Sequence, residues 1–228
     1  SLGPASAGDE QKLHDAFPAS IREAGVLRVA INYPRVPFVM KENPEAPSYS
    51  GIDIDLANLI GEKAGLKIEF TNTSFQGLVP AMQAGQADLI WSGMLATKER
   101  EEVADFVLYL RSPIGLLVPK GNPLHIQSIA DLCGKKLSIR EGSPAMKSMV
   151  EERQAICADQ KKMPIEVVPH PQNATSILAV KSGSVDAWVT SAIDTAFVAS
   201  TEEGKASFEY AIDRTGWAGE VYMYDGVM

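Results

Sequence analysis

The sequence predicts an α/β protein of two lobes, each a mostly parallel sheet flanked by helices. One observation is that β-rich and helix-forming segments alternate along the 228 residues, as they do where helices cross over between parallel strands. The other is that segments 81–92 and 179–190 share an alanine, a glycine and an aspartate at equivalent positions. In each segment a glycine, Gly85 or Gly183, can end a helix before a short apolar strand. Since this connection is common, the repeat alone leaves chance similarity open.

Strand and helix patterns alternate through the first lobe. A β-rich run over 27–31 opens into a loop that contains Pro34 and Pro37. The predicted elements are a helix over 11–23, a strand over 27–31, a helix over 52–64, a strand over 67–70, a helix over 75–84 and a strand over 88–92. This order predicts a parallel sheet, and ligands of such sheets bind beyond the carboxyl ends of the strands.

A second α/β series follows the break at 119–123. Its predicted strands cover 136–139, 165–168 and 186–189, its helices cover 145–159, 174–181 and 192–201, and late strands cover 208–212 and 221–227. We therefore expect a first lobe over 25–115, a second lobe over 120–205, and a return to the first lobe over 206–228.

Composition excludes several classes of protein. The net charge of −8 argues against a nucleic-acid partner, since phosphate binding needs a basic face. Two cysteines and scattered histidines do not make a zinc site, so no metal or other cofactor is predicted. Spacing alone leaves open whether Cys133 and Cys157 form a disulfide or remain buried thiols.

Export cannot be judged from the residue pattern alone. The sequence contains no apolar run near the roughly 20 residues that span a bilayer. An apolar leader does not precede the first predicted strand either. The chain is therefore either cytosolic or an exported protein whose signal has been removed.

One short motif suggests an anion site. Thr97 is a predicted N-cap, and Arg100 lies in the first turn of the helix that follows. Backbone N–H groups at a helix start and a guanidinium together can bind a carboxylate. The same pattern is also typical of a solvated helix face. The surrounding sequence is therefore needed to choose between an anion site and a solvated face.

Those surroundings resemble the family 3 extracytoplasmic solute-binding proteins, the receptors of polar amino-acid ABC importers. The motifs that match, in order, are GIDIDL at 51–56, GQADLI at 85–90, TKER at 97–100, DLCGKK at 131–136 and EGS at 141–143. The resemblance covers residues 25 to about 190. It implies the type 2 periplasmic binding protein fold, in which two lobes joined by hinge strands close on a small ligand.

The resemblance also implies a location and partners. We expect an exported protein, periplasmic or extracellular, that is monomeric, performs no chemistry and delivers its ligand to a membrane permease. Because part of the family has a cysteine in the helix after the DLCGK motif, the resemblance implies a disulfide between Cys133 and Cys157. Family members continue for a few more helices, so we expect further C-terminal elements beyond this sequence.

Carried over residue by residue, the resemblance implies a ligand site. Arg100 matches the carboxylate-binding arginine, and Phe75 matches the aromatic residue that stacks on the ligand. Ser92 and Gly93 match the cradle of backbone carbonyl and hydroxyl groups, and Ser143 belongs to the anion loop of the second lobe. Asn32 is a further candidate lining residue.

Several residues depart from the family pattern. Leu95 and Ser191 stand where a hydroxyl group and an acidic group usually hold the ligand's α-ammonium. Pro144 has no N–H to offer a carboxylate. Arg35 and Arg140 add guanidinium groups, unless they turn outward into solvent. We therefore expect a ligand with two acidic groups to be preferred over a basic or a simple neutral amino acid.

Two other functions remain open. Some relatives of this fold are dehydratases of prephenate or arogenate, and segments 170–175 and 190–194 resemble those enzymes. Asp194 stands where such an enzyme has a catalytic glutamate. The chain could also be the ligand-binding domain of a sensory receptor.

Overall fold

A computed structural model describes residues 7–96, 98–142, 144–213 and 222–227. The described residues divide into two compact units. Unit 1 contains those up to Met94 together with Val227, and unit 2 contains those from Leu95 to Gly226. In the described part of the chain, no helix is both long enough and apolar enough to cross a membrane.

Unit 1 is a three-stranded parallel sheet with helices. Its elements are α1 Ala7–Ala16, α2 Ala19–Ala24, β1 Val26–Ile31, α3 Ile52–Ala64, β2 Lys67–Asn72, the 3-10 helix Phe75–Gly77, α4 Leu78–Gln83 and β3 Leu89–Leu95. β1 lies between β2 and β3 and is parallel to both. Val29, Ala30 and Ile31 of this central strand are fully buried, which is typical of strands covered on both faces.

The predicted helix over 11–23 is two helices, α1 and α2. Pro18 is the N-cap residue of α2. A proline inside a helix has no N–H for the backbone ladder and clashes with the preceding turn. The chain therefore ends α1 at Ala16 and starts again after Pro18.

Unit 2 is a mixed sheet with helices. Its elements are α5 Lys98–Glu101, β4 Val107–Pro119, the 3-10 helix Ile129–Leu132, β5 Lys136–Arg140, α6 Pro144–Asp159, β6 Glu166–His170, α7 Asn173–Ser182, β7 Ala187–Ser191, α8 Ala192–Ser200, α9 Glu202–Ser207, β8 Phe208–Asp213 and β9 Tyr222–Val227. Five strands pair in the order β8-β4-β7-β5-β6. β5 is parallel to β6 and β7, whereas β4 is antiparallel to β7 and β8.

The last strand of that order, β6, contains a proline. Glu166 donates its N–H to Lys135 O at 2.9 Å, and His170 O accepts from Glu141 N at 2.9 Å. Residues 166 and 170 therefore direct their backbone groups towards β5. Because backbone groups alternate in direction along a strand, Pro169 has its nitrogen on the opposite, open side.

Strands β4 and β8 pair within unit 2. They form an antiparallel ladder from Ile114 opposite Asp213 to Pro119 opposite Phe208. These strands extend the sheet of the second unit. The lobe bounds of 25–115, 120–205 and 206–228 stay predictions.

A disulfide joins Cys133 to Cys157 within unit 2, with Cα atoms 5.4 Å apart. It connects the end of the 3-10 helix Ile129–Leu132 to α6. Both cysteines are buried in the apolar core of this unit. The disulfide that the family resemblance implied is confirmed.

Candidate functional site

The repeated segment fixes where β3 begins in unit 1. Gly85 has φ of +69° after α4, a conformation that glycine adopts without strain. Asp88 then makes a reciprocal pair with the neighbouring strand: its N–H donates to Arg28 O at 2.8 Å, and its Oδ2 accepts from Arg28 N at 2.8 Å. This pair fixes the register of β3 on β1.

An ion pair strengthens that connection. Arg28 donates through Nε to Asp88 Oδ2 at 3.1 Å and through Nη2 to Oδ1 at 2.5 Å. Partial burial alone would raise the pKa of Asp88, but hydrogen bonds from the Arg28 side chain and backbone, with its charge, lower that pKa below the ordinary value. Asp88 is therefore a structural anion of the strand connection.

The second copy builds the same connection in unit 2. Gly183 has φ of +73° after α7. The N–H of Asp186 donates to Lys136 O at 2.9 Å, and its Oδ2 accepts from Lys136 N at 2.7 Å. The repeat seen in the sequence is therefore a repeated structural device, and β3 and β7 each continue from it.

In unit 1, candidate residues meet where β1 ends, against Ser92 in the middle of β3. Asn32 follows β1 directly, and its N–H donates to Ser92 Oγ at 2.8 Å. Its side-chain amide donates to Thr73 O at 2.7 Å, just after β2. Asn32 and Ser92 are both buried. Asn32 thus links the carboxyl ends of β1 and β2 to the middle of β3.

Arg35 lies against the same part of β3. Its backbone is held by an antiparallel bridge with Val39, and its Nη1 donates to Ser92 O at 2.6 Å. The guanidinium carbon lies 4.7 Å from the centre of the Phe38 ring, which is a cation–π distance. Arg35 is only 4% exposed. It does not turn outward into solvent, and it brings its side chain onto both Ser92 and Gly93.

Phe75 begins a short 3-10 helix near that edge. The helix starts two residues after Thr73, whose carbonyl Asn32 binds, and Ser74 caps it by accepting from Gly77 N at 3.2 Å. The Phe75 side chain is half buried. Phe75 therefore lies two residues beyond Thr73, whose carbonyl accepts a hydrogen bond from the Asn32 side chain.

In unit 2, Arg100 meets the predicted anion loop. It lies on α5 and is half buried, and its Nη2 donates to Gly142 O at 3.3 Å. Leu95 is the last residue of β3, and Ser143 lies outside the described residues. The structure thus brings together the guanidinium and the loop that the sequence assigned to one site.

Arg140 ends β5 in unit 2 and is 8% exposed, opposite His170 of β6. Like Arg35, it is buried and not turned out into solvent.

Ser191 and Asp194 form a local cap at the end of β7. Ser191 Oγ donates to Asp194 Oδ2 at 2.5 Å and accepts from Asp194 N at 3.1 Å. Thr190 Oγ1 also donates to Asp194 Oδ2, at 3.1 Å. The sequence analysis missed this role of Asp194, although serine followed three residues later by an acid is typical of a capped helix start.

No group of three or more metal-binding side chains lies together in the described part of the chain. The geometry therefore offers guanidinium, hydroxyl and amide groups for recognition. These are groups that bind a polar organic molecule by hydrogen bonds.

Known proteins similar to this chain include binding proteins and one enzyme. The family model described as bacterial extracellular solute-binding proteins, family 3, matches residues 27–157. A probable histidine-binding protein of Campylobacter jejuni is 30% identical over 189 residues, which are 78% of this chain and 68% of that protein. The cyclohexadienyl dehydratase of Pseudomonas aeruginosa is 31% identical over 178 residues, 76% of this chain and 62% of the enzyme.

A solved structure shows the same fold. An ancestral arginine-binding protein bound to arginine aligns with a TM-score of 0.70 and 31% identity, covering 89% of this chain and 83% of that one. The chain spans about two thirds of the length of the two curated relatives.

Proposed function

Because this chain belongs to family 3 of the bacterial extracellular solute-binding proteins, we propose that it is the extracytoplasmic receptor of an ABC importer. It captures a polar or acidic amino acid, or a related carboxylate, and delivers it to a membrane permease. The family resemblance seen in the motifs is confirmed by the family match, and the type 2 periplasmic binding protein fold by the likeness to solved structures.

The half-buried guanidinium of Arg100 against the loop at Gly142 is the observation that supports this proposal most directly. A guanidinium has five N–H donors in a planar fork, which matches the two oxygens of a carboxylate. The contact with Gly142 O restrains the side chain, so less entropy is lost when a carboxylate binds. We assign Arg100 as the main carboxylate contact of the ligand.

The other candidate residues have secondary roles in this proposal. Phe75 offers an apolar face to the ligand, and Asn32 and Ser92 form the polar floor in unit 1. Arg140 adds positive charge in unit 2, and Ser191 acts mainly through its cap with Asp194. Leu95 and Ser143 remain candidate contacts on the strength of the family resemblance.

Calorimetry on the 228-residue chain tests the proposal. Arg100→Ala should weaken carboxylate binding by about 2 to 5 kcal/mol, because it leaves a carboxylate without its charged partner. Arg100→Lys should not restore affinity, since an ammonium cannot form the two-bond fork. Arg22→Ala is the control, because Arg22 lies on α2 and binds Phe17 O through its Nε. Unchanged affinity in Arg100→Ala would remove this residue from the site.

We also propose that the protein acts outside the cytoplasm, in the periplasm or at the cell exterior, and as a monomer. Both expectations follow from its role as a receptor for a permease. Sedimentation of the ligand-bound protein should give a single species of 24.6 kDa. A stable dimer would contradict the proposed monomeric state.

A dehydratase is the second candidate, supported by the similarity to the Pseudomonas aeruginosa enzyme. Asp194, the residue matched to the catalytic glutamate, is fully buried and accepts hydrogen bonds from Ser191 and Thr190. Its carboxylate is thereby committed to the cap of α8 and is poorly placed to exchange a proton with a substrate. We expect no conversion of prephenate or arogenate, and conversion of either would overturn this assignment.

A further inference from the structure

We infer that the guanidinium of Arg35 occupies the place of a ligand's ammonium group at the Ser92 carbonyl. The receptor then prefers carboxylates that lack a protonated amino group over the matching α-amino acids. This inference rests on the proposed function and specifies its ligand class. It separates the chain from the relatives named for histidine and arginine.

The Ser92 carbonyl lies at the edge of the unit 1 sheet where ligands bind. The parallel ladder between β1 and β3 includes Ala30 opposite Ile90, and Ser92 comes two residues later on β3. Ligands of open parallel sheets bind beyond the carboxyl ends of the strands. A backbone carbonyl there is the acceptor that a protonated amine would need, because an ammonium is only a donor.

Arg35 already uses that acceptor. Its Nη1 donates to Ser92 O at 2.6 Å, a short distance that is typical of charge-assisted hydrogen bonds. The carbonyl oxygen retains a second lone pair, but an ammonium bound to it would lie close to the guanidinium. Like charges within about 4 to 6 Å disfavour each other. The amino group of a ligand therefore meets both an occupied acceptor and a neighbouring cation.

The guanidinium is fixed in this position. The bridge between Arg35 and Val39 holds its backbone, and the Phe38 ring lies beneath it at 4.7 Å. A Cβ atom at Gly93 would lie only 2.5 Å from Arg35 Cζ. Glycine at position 93 is thus what allows the guanidinium to approach the strand. Arg35 is only 4% exposed. Moving its guanidinium out into solvent would deprive the carbonyl of buried Ser92 of this hydrogen-bond donor.

Matched ligand pairs test the inference on the unmodified chain. Suitable pairs are succinate and L-aspartate, glutarate and L-glutamate, and 5-guanidinopentanoate and L-arginine, whose members differ by one amino group. Calorimetry should show at least tenfold tighter binding of the member without the amino group. Tighter or equal binding of the amino acids would overturn the inference and leave the proposed receptor function standing. If none of the six carboxylates binds, the inference fails, whereas the receptor function fails only if no polar amino acid or related carboxylate binds.

Variants of Arg35 show whether this residue causes the preference for ligands without an amino group. Arg35→Met fills similar space without a hydrogen-bond donor. The ratio of the two affinities within each ligand pair should therefore shift at least tenfold in favour of the amino acid. Arg35→Lys keeps a cationic donor and should retain the preference, and it also serves if the methionine variant does not fold. Arg28→Met is the matched control, since Arg28 is on β1 of the same unit but binds Asp88 and Gly85 O. An unchanged preference in folded Arg35→Met, or its loss in Arg28→Met, would overturn the assignment to Arg35.

Discussion

The two units use one strand connection and then differ a few residues later, at the serines that follow in β3 and β7. In both, a left-handed glycine is followed by an aspartate that pairs reciprocally with the neighbouring strand, Asp88 with Arg28 and Asp186 with Lys136. After the shared part, β3 reaches Ser92, which binds Asn32 and a guanidinium. In the second unit, β7 reaches Ser191, which caps the next helix.

This difference distinguishes the residues that maintain the fold from the residues that we propose to bind a ligand. The residues that the two copies have in common make backbone connections, and they are needed wherever a helix returns to a parallel strand. The residues that follow them differ, because in unit 1 the strand faces side chains from distant loops. In unit 2 it is satisfied locally, by an aspartate three residues later. We therefore expect changes in the shared part to affect stability and changes beyond it to affect binding.

The largest difference between the two units should follow removal of the disulfide, which lies within unit 2. Replacing Cys133 and Cys157 by alanine should cost about 3 kcal/mol, because the cross-link restricts the unfolded chain. Hydrogen exchange should show the loss of protection in β5 and α6 and not in β1. Equal loss of protection in both units would mean that they unfold together.

The two capping glycines should respond alike. Gly85→Ala and Gly183→Ala should each cost about 1 to 2 kcal/mol, since both positions have positive φ and neither would bring a Cβ within 4 Å of another group. Chemical unfolding measures both changes. A difference of more than about 1 kcal/mol between them would show that the two connections are not equivalent.

The smallest effect should be the pH dependence of the stability that Asp88 contributes in unit 1. Because its pKa is lowered in the folded protein, its contribution is present in full above the ordinary aspartate pKa of about 3.9. It is lost as the pH falls through the lowered value, since the unfolded chain then binds the proton more readily. The stability difference between the wild type and Asp88→Asn should shrink between pH 6 and pH 2. A constant difference over that range would contradict the assignment.

Much of the fold could be predicted from sequence because it depends on local patterns. The alternation of apolar segments predicted most strands along the chain, although not β4, and the glycines and the aspartates marked where β3 and β7 begin. The pairing of β4 with β8 was less predictable. It joins segments some ninety residues apart, and no local pattern encodes that partner.

The site residues remain predictions, but the contacts that some of them make can be compared with the sequence. The motifs assigned Arg100 and the loop at 141–143 to one place, and the structure brings Arg100 to Gly142. The direction of Arg35 could not be predicted, because it depends on the Phe38 ring and on a carbonyl 57 residues away. Whether a guanidinium faces solvent or a strand is decided by such tertiary contacts.

The proline in β6 has a consequence for how this protein behaves at high concentration. Among the described strands, β6 is the last of its sheet, and an exposed strand edge can recruit the edge of another molecule. Pro169 has its nitrogen on that open side and can donate no hydrogen bond to an incoming strand. The edge is therefore protected against self-association by one residue, and Pro169→Val would restore a continuous template for aggregation.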